Sequence, residues 1–233
     1  MEQLTLTVLV ATMNEEASIE ECVRRIFGVY PDLCEVLVID GGSDRTREIV
    51  LRLCEEFSRL RYLRNDNDRG KGHATKTGIA TAEADVMVEI DADLQFLPEE
   101  IPKLIAPILE GRADVCLGSR FARQSTHHDH SLLRSCGNMV TSLYASVLYC
   151  HRMTDVLAGM SAWTRHTIES INLVSDNYSY EVEIPVKALR AGLRVADVPV
   201  TTEPRKGGRS NVRVVRSGLA ILRDITLFRL GLR

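Results

Sequence analysis

The chain has 233 residues, of which 45% are hydrophobic, and this is enough to bury a substantial core in one large domain. The formal net charge of −3 and the lack of a basic arm speak against a nucleic-acid partner. No run approaches the roughly 18 apolar residues of a membrane span, and the N-terminus lacks the basic start of a signal peptide, so we expect neither feature.

The first half of the chain alternates predicted strands with predicted helices. Hydrophobic spacing predicts strands at 4–12, 35–40, 60–65 and 85–93, with helices at 18–30 and 46–57. This alternation is typical of an α/β fold with a Rossmann-like, doubly wound and mostly parallel sheet.

The second half is less regular. We predict a strand at 114–121, an apolar helix at 131–149 interrupted by Arg134 and Asn138, an extended-then-helical segment at 178–192 and a strand at 194–201. Residues 1–211 are expected to form the single domain, and 212–233 a basic amphipathic helix. Between Arg205 and Arg233 eight Lys or Arg face one acid, a balance of +7. Such a helix lies on a membrane or packs on protein, and the sequence favours neither.

Polar residues stand where three predicted strands end. Asn14 and Glu15 follow the first strand, Asp40 ends the second, and Asp91 and Asp93 follow the fourth. Open α/β sheets bind ligands at the carboxyl ends of their strands, so we expect these side chains to converge on one edge.

The triplet Asp91-Ala92-Asp93 is a candidate metal site. Two carboxylates at i and i+2 of an extended segment point to one side, and Mg²⁺ or Mn²⁺ prefers such hard oxygen ligands together with substrate phosphates. Gln95 adds an amide oxygen to the candidate ligand set Asp91, Asp93 and Gln95. The alternative is that the acids only cap the helix that follows.

A diphosphate leaving group requires nearby cations. Lys71, Arg120 and Arg205 each lie in a predicted loop with a glycine nearby, and arginine matches phosphate oxygens with two donors. A solvated surface charge is the alternative for each of them. The segment "GKG" at 70–72 is too short for a phosphate-binding P-loop.

Two further groups point to ordinary roles. The cluster "HHDH" at 127–130 is interpreted as a solvent-facing loop, because adjacent histidines of an extended segment point apart. The six cysteines are scattered, without the paired spacing of a zinc or redox motif, so we expect buried thiols in a reducing compartment.

Several motifs together resemble a known family. "MNEE" after the first strand, "DGGSDRT", "GKGHATKTG", "DADLQFLPEE" and "GSRF" occur in the order and at the intervals of inverting family 2 glycosyltransferases with the GT-A fold. With "VPVTTEPRKGGRSN" added, the sequence is most similar to the polyprenyl (dolichyl) phosphate mannose or glucose synthases. The similarity covers residues 4–211.

The resemblance implies roles for individual residues. It implies catalytic roles for Asp93, Arg120 and Arg205, and an acceptor-phosphate site at Arg134, Asn138 and Ser210, with Asn211 in the same loop. It implies a donor site formed by Ala11, Asn14, Glu15, Asp40, Lys71, Asp91 and Ala92. The chain departs from the family at Ala11, Met13 and Gly41, where the family has Pro, Tyr and a second acid, and these departures leave the base and the sugar open.

The implied activity is metal-dependent hexose transfer from a GDP- or UDP-linked sugar to a polyprenyl phosphate, with Mg²⁺ or Mn²⁺ as cofactor. A peripheral position at the cytoplasmic membrane face is implied, with a membrane partner protein as one option. Two alternatives stay open, namely transfer to a saccharide hydroxyl with Glu181 or Glu183 as base, and a non-catalytic subunit. A dehydrogenase is disfavoured because the first turn lacks the glycine fingerprint.

Overall fold

The structure is a computed structural model that describes residues 5–30, 35–127, 132–206 and 214–233. Within these ranges nine strands are β1 Leu6–Thr12, β2 Glu35–Asp40, β3 Leu60–Arg64, β4 Val86–Ile90, β5 Val115–Ser119, β6 Thr126–His127, β7 Met160–Thr164, β8 Val195–Pro199 and β9 Thr201–Thr202. The α-helices described are α1 Ile19–Val29, α2 Thr46–Glu56, α3 Lys71–Thr81, α4 Ile101–Leu109, α5 Leu132–Tyr149, α6 Arg165–Ser170, α7 Ser179–Arg190 and α8 Val214–Leu230. A short 3₁₀ turn at Pro98–Glu100 precedes α4.

One seven-stranded sheet organises the molecule, in the order β3-β2-β1-β4-β7-β5-β8. All neighbouring strands run parallel except β7, which is antiparallel to β4 and β5. The strand order reverses between β1 and β4, because β2 and β3 lie on one side of β1 and β4 on the other. This reversal is the switch point at which doubly wound sheets bind ligands. The predicted mostly parallel α/β sheet is confirmed.

The central strands of this sheet are apolar and buried. Every residue of β2 and β4 is buried, and Val8 and Val10 of β1 are fully buried. Helices cover both faces, as the continuous hydrophobic runs of these strands require. The three strands therefore hold their C-terminal ends rigidly at one edge.

Helix α3 was not predicted because its glycines lower helix propensity. They serve close packing instead. A Cβ at Gly78 would lie 2.9 Å from Ile39 Cδ1, and one at Gly72 would lie 2.6 Å from the Ser175 carbonyl oxygen. The glycines let α3 approach both the sheet and the segment 175–177, which brings Lys71 to the sheet edge.

The segment around 178–182 is helical, so the predicted extended start is wrong. Tyr180 and Ile184 pack against the sheet, whereas Val182 and Val186 pack against α8. A helix that is buried on two sides carries apolar residues at alternating positions, and this imitates the period of a strand.

Helix α8 packs onto the domain through its apolar residues. Ile221, Ile225 and Phe228 are buried in one cluster with residues of α5 and α7.

The predicted boundary at 211 lies outside the described residues, as do residues 128–130 of the histidine-rich cluster. No helix in the ranges described has the length and apolar character needed to span a bilayer.

The cysteines only partly match the expectation of buried thiols. Cys22 and Cys116 are buried, but Cys136 and Cys150 are exposed on and beside α5, where the prediction is wrong. Cys34 lies outside the described residues.

Candidate active site

A cavity of about 440 Å³ opens at the C-terminal ends of β1 and β4. Its walls come from the loops after these strands and from α3, α5, α7 and α8. Among the residues selected from the sequence, the cavity is lined by Ala11, Glu15, Lys71, Asp91, Ala92, Asp93, Gln95, Arg120, Arg134, Asn138 and Arg205. The ends of β1 and β4 therefore bring Glu15, Asp91 and Asp93 together as expected.

Strand β4 ends at Ile90 and a turn begins at Ala92, so the predicted extended segment through Asp93 is wrong in detail. The backbone N–H of Asp91 donates to the carbonyl of Gly159 at 3.1 Å. Asp93 Oδ1 accepts from the backbone N–H of Gln95 at 3.0 Å, and Leu94 between them has a φ of 61°. The turn brings both carboxylates to the cavity by another route.

The two carboxylates influence each other. Burial, and after it the negative charge of Asp91, raise the pKa of Asp93 to about 6, while the backbone N–H of Gln95 and the charge of Arg205 oppose the rise. A positive charge between them would relieve this repulsion.

The donor set fits Mg²⁺ or Mn²⁺ in the way that these ions bind diphosphates. Asp91, Asp93 and Gln95 line the cavity and carry hard oxygen atoms. In the part of the chain that the structure describes, no three His, Cys, Asp or Glu side chains are grouped as a metal-ligand set. The chain thus offers a carboxylate pair, which leaves positions for water and substrate oxygens.

Lys71 is partly buried and lies among carboxylates of β4, of the segment that follows it and of α7. Its Nζ lies 2.7 Å from Asp91 Oδ1, 2.8 Å from Glu181 Oε1 and 3.8 Å from Glu89 Oε1. Burial works to lower the pKa of Lys71, but Asp91 and Glu181 outweigh it and hold that pKa well above its usual value. Lys71 is therefore a permanent positive charge at the cavity wall.

Arg205 closes the opposite side of the acidic pair. Its guanidinium forms ion pairs with Glu15 and, at 3.2 Å, with Asp93 Oδ2. Burial raises the pKa of Glu15, and Arg205 opposes that rise. One arginine thus links the loop after β1 to the turn after β4.

Arg120 is held in a buried ion pair. Its Nε and an Nη donate to the two oxygens of Asp155 at 2.7 and 2.9 Å, and Asp155 is fully buried. The ring of Phe96 lies 5.4 Å from the guanidinium carbon. Arg120 reaches the cavity with its position fixed by these contacts.

Two of the sequence-selected donor residues stand beside the cavity and do not line it. Asp40 is buried, and its carboxylate accepts hydrogen bonds from Thr12, Gly42, Tyr62 and Arg64. Asn14 is exposed and accepts from the Ser43 N–H at 2.8 Å. Their roles in nucleoside binding stay predictions. Ser210 and Asn211 lie outside the described residues.

Sequence reasoning missed several cavity residues. Asn177, Tyr178, Gly159 and Ile221 line the cavity although no motif selects them. A Cβ at Gly159 would lie 2.3 Å from Asp91 Oδ2, so any larger residue there would displace the Asp91 carboxylate. Glu181 lines the cavity, whereas Glu183 is fully buried and accepts from the backbone of Val174 and Ser175. The local sequence "SYEVEI" does not distinguish the two acids, because their difference arises from helix orientation.

Comparison with known proteins identifies relatives of this chain. The chain is 28% identical to the dolichol-phosphate mannosyltransferase of Pyrococcus furiosus over 90% of this chain and 60% of that protein. It is also 28% identical to the undecaprenyl-phosphate mannosyltransferase of Micrococcus luteus over 98% of this chain and 100% of that protein. The chain spans only 35% to 60% of the length of three relatives, among them the Pyrococcus furiosus protein.

A solved structure shares the fold. The glucosyl-3-phosphoglycerate synthase from Mycobacterium tuberculosis, in complex with Mn²⁺, uridine diphosphate and phosphoglyceric acid, superposes with a TM-score of 0.73 at 20% identity. The superposition covers 98% of this chain and 78% of that one. Residues 7–155 match the sequence profile of "Glycosyl transferase family 2". The chain belongs to this family and has its GT-A fold.

Proposed function

We propose that this chain is an inverting hexosyltransferase that moves a mannose- or glucose-type hexose from a GDP- or UDP-linked donor to a polyprenyl (dolichyl-type) monophosphate. It acts as a peripheral protein at the cytoplasmic face of a membrane. The observation that carries the proposal is the carboxylate pair Asp91 and Asp93, flanked by Lys71 and Arg205 in one cavity. The relatives named for transfer to dolichol phosphate and undecaprenyl phosphate support the acceptor class.

The donor diphosphate occupies the acidic side of the cavity. Asp91, Asp93 and Gln95 would hold Mg²⁺ or Mn²⁺, which supplies positive charge to the departing diphosphate when it is bound. Ala11, Glu15 and Ala92 form the adjoining wall. Asn14 and Asp40, beside this wall, are proposed to contact the nucleoside.

The cations of the chain act on the leaving group. Lys71 and Arg205 already lie within ion-pair distance of the two acids, so they meet a bound diphosphate without a large rearrangement. Stabilising negative charge where it develops is worth several kcal/mol in rate. Arg120, held by Asp155, adds a fixed positive charge on the same wall.

The chemical step joins an acceptor oxygen to the anomeric carbon. This bond forms as the bond from the anomeric carbon to the diphosphate breaks, and nucleoside diphosphate leaves from the opposite face. A phosphate monoester has its second pKa near 6 and is largely a dianion at neutral pH, so no protein base is needed. Arg134 and Asn138 of α5, with Ser210, bind this acceptor phosphate.

A transfer assay tests the proposal directly. Purified protein is incubated with radiolabelled GDP- and UDP-hexoses, Mn²⁺ and a polyprenyl phosphate, and the lipid-linked sugar is extracted into organic solvent. The expected result is metal-dependent label in the lipid with one of the donors. Label that reaches free saccharides but no lipid phosphate would contradict the proposed acceptor.

One observation favours a second acceptor class. Burial raises the pKa of Glu181 to about 7, although Lys71 opposes the rise, and its side chain lines the cavity. A carboxylate with this pKa can take a proton from a saccharide hydroxyl near neutral pH. The third possibility is a non-catalytic subunit. For such a subunit, Asp93→Ala should cause no measurable loss of function.

The domain division is also a proposal. Residues 1–211 form the glycosyltransferase domain, and the helix within 212–233 completes its cavity through Gly218 and Ile221. A protein that ends at residue 211 would then leave the cavity open on one side.

A further inference from the structure

The outer face of α5 exposes a continuous set of large apolar side chains. Val140, Leu143 and Val147 repeat at helical spacing, and Leu143 and Val147 are 66% and 70% exposed. Met139 and Tyr144 widen the stripe. Single exposed apolar residues are ordinary, but a contiguous patch on one helix marks an interaction surface.

The charged side chains around this face are mainly basic. The sequence of α5 contains no acid, and α8 beside it contains one, Asp224, which is fully buried and paired with Arg223 at 2.9 Å. Arg152 lies in the same surface groove as Leu143 and Val147. Arg229 contacts the C-terminal end of α5 through the Leu148 carbonyl. A chain of net charge −3 therefore presents a basic, apolar surface here.

The opposite side of the same helix belongs to the cavity. Arg134, Asn138 and Thr141 line it from α5. One helix thus separates the proposed acceptor-phosphate site from the exposed apolar face. A lipid phosphate can enter at this helix while its hydrocarbon chain stays in a bilayer that touches the outer face.

We propose that the outer face of α5, formed by Met139, Val140, Leu143, Tyr144 and Val147, is the surface that docks on an anionic lipid bilayer. This inference rests on the proposed function, because the lipid acceptor explains why the docking face adjoins the cavity. The helix lies in the plane of the headgroups, with its apolar residues in the acyl boundary and Arg152 and Arg229 at the phosphates.

One observation disfavours a second copy of the chain as the occupant of this face, and another excludes α8 as the docking helix. A second copy of the chain, paired symmetrically through this face, would bring the arginines of both copies together without exposed acids from α5 or α8 to compensate them. Helix α8 is not the docking helix, because Ile221, Ile225 and Phe228 are buried against α5 and α7. The amphipathic pattern of the tail is used inside the protein.

Vesicle cosedimentation tests the docking face. The full chain is mixed with vesicles of phosphatidylcholine alone and of phosphatidylcholine with phosphatidylglycerol. Leu143→Asp and Val147→Asp place a charge where the side chain meets acyl chains, and each should weaken binding to the anionic vesicles about tenfold or more. Arg152→Gln should weaken it about fivefold and reduce the salt dependence.

Matched controls lie elsewhere on the surface. Leu51 in α2 and Leu109 in α4 are exposed apolar residues at 44% and 49%, away from α5. Leu51→Asp and Leu109→Asp should bind vesicles like the wild type. Circular dichroism melts of all five variants check that none has unfolded.

A second readout separates this inference from the proposed function. With a short, water-soluble prenyl phosphate as acceptor, Leu143→Asp and Val147→Asp should transfer sugar like the wild type. If no variant and no wild-type protein transfers to that acceptor, the proposed function fails and the vesicle result still stands on its own. Vesicle binding that is absent, or is unchanged by both α5 variants, overturns the docking face. A different outcome is that the wild type self-associates in analytical ultracentrifugation and binds no vesicles. If the α5 variants abolish that self-association, the face binds a second copy of the chain, and the proposed bilayer docking is overturned as well.

Discussion

Lys71 Nζ lies 2.7 Å from Oδ1 of Asp91, so a lysine at the start of α3 is ion-paired with the acid that follows β4. The same ammonium group contacts Glu181 of α7 at 2.8 Å. One cation therefore joins three elements at the cavity wall. Its removal would leave two partly buried carboxylates without their cation, which is more costly than losing a surface ion pair.

Lys71→Met is expected to lower the free energy of unfolding by about 3 kcal/mol, because it leaves Asp91 and Glu181 uncompensated. Sugar transfer should fall as well, since a charge near the leaving group is lost. Urea denaturation and the transfer assay measure the two effects. Lys103→Met is the control, because Lys103 is 50% exposed in a surface pair and should change stability by less than about 0.5 kcal/mol. Equal stability of the two variants would show that Lys71 is not essential to the charge balance.

Asp93→Asn tests the metal pair. The amide keeps the size of the side chain but removes a charged ligand, so transfer should fall by a factor on the order of 100 or more. Mn²⁺ binding in the presence of nucleotide, followed by electron paramagnetic resonance, should weaken in parallel. Asp66→Asn changes an acid that is 80% exposed and should affect neither readout. Undiminished Mn²⁺ binding by Asp93→Asn would place the ion elsewhere.

Much of the fold was predictable from local patterns. The sequence of β2, "EVLVID", is apolar up to its final acid, and the predicted strand at 35–40 matches the observed one. Strand β7 was missed because Met160–Thr164 is short and mixes Ser and Thr with apolar residues. Its place in the sheet is set by antiparallel pairing with β4 and β5, which are distant in the sequence.

The site was predictable where a motif marks it. Asp91 and Asp93 stood out because charge follows a buried strand. Gly159 and Tyr178 did not, because they reach the cavity through the path of the chain between β5 and α7 and carry no distinctive local pattern. Long-range packing, and not propensity, decides which of Glu181 and Glu183 faces the cavity.

Gly159→Ala should damage the site through a single methyl group. A Cβ there would lie 2.3 Å from Asp91 Oδ2, so Asp91 must move away from its position beside Lys71. Transfer is expected to fall about tenfold or more, with weaker Mn²⁺ binding. Gly28→Ala is the matched control, because nothing lies within 4 Å of its Cβ position in α1. Full activity of Gly159→Ala would mean that Asp91 has room to move without loss of function.

Glu181→Gln separates the two acceptor classes. With a polyprenyl phosphate acceptor no base is needed, so transfer should stay within about tenfold of the wild type. If a saccharide hydroxyl is the acceptor, loss of the base should cost about 10²-fold to 10⁴-fold. Assays of Glu181→Gln and the wild type with both acceptor types decide between the two acceptor classes.

The same variant carries a pH signature in stability. Burial raises the pKa of Glu181 from 4.5 in the unfolded chain to about 7. Between these values the native state binds more protons, so this group makes the wild type less stable as pH rises from about 4.5 to 7. The Gln side chain does not titrate, so Glu181→Gln does not lose stability in this way. Its free energy of unfolding relative to the wild type should increase between pH 4.5 and 7 by an amount on the order of 2 kcal/mol. Urea denaturation at pH 5 and pH 8 measures it, and a constant difference would count against the raised pKa.

Phe228→Ala tests whether α8 is part of the fold. Phe228 is fully buried with Val182, Val186 and Ile225, so its truncation should lower the free energy of unfolding by about 3 kcal/mol or more. Leu230, two residues later, is 63% exposed, and Leu230→Ala should change stability by less than about 0.5 kcal/mol. Chemical denaturation compares the two. If Phe228→Ala kept its stability but lost vesicle binding, α8 would be the lipid-facing helix, and the assignment of docking to α5 would have to be reversed.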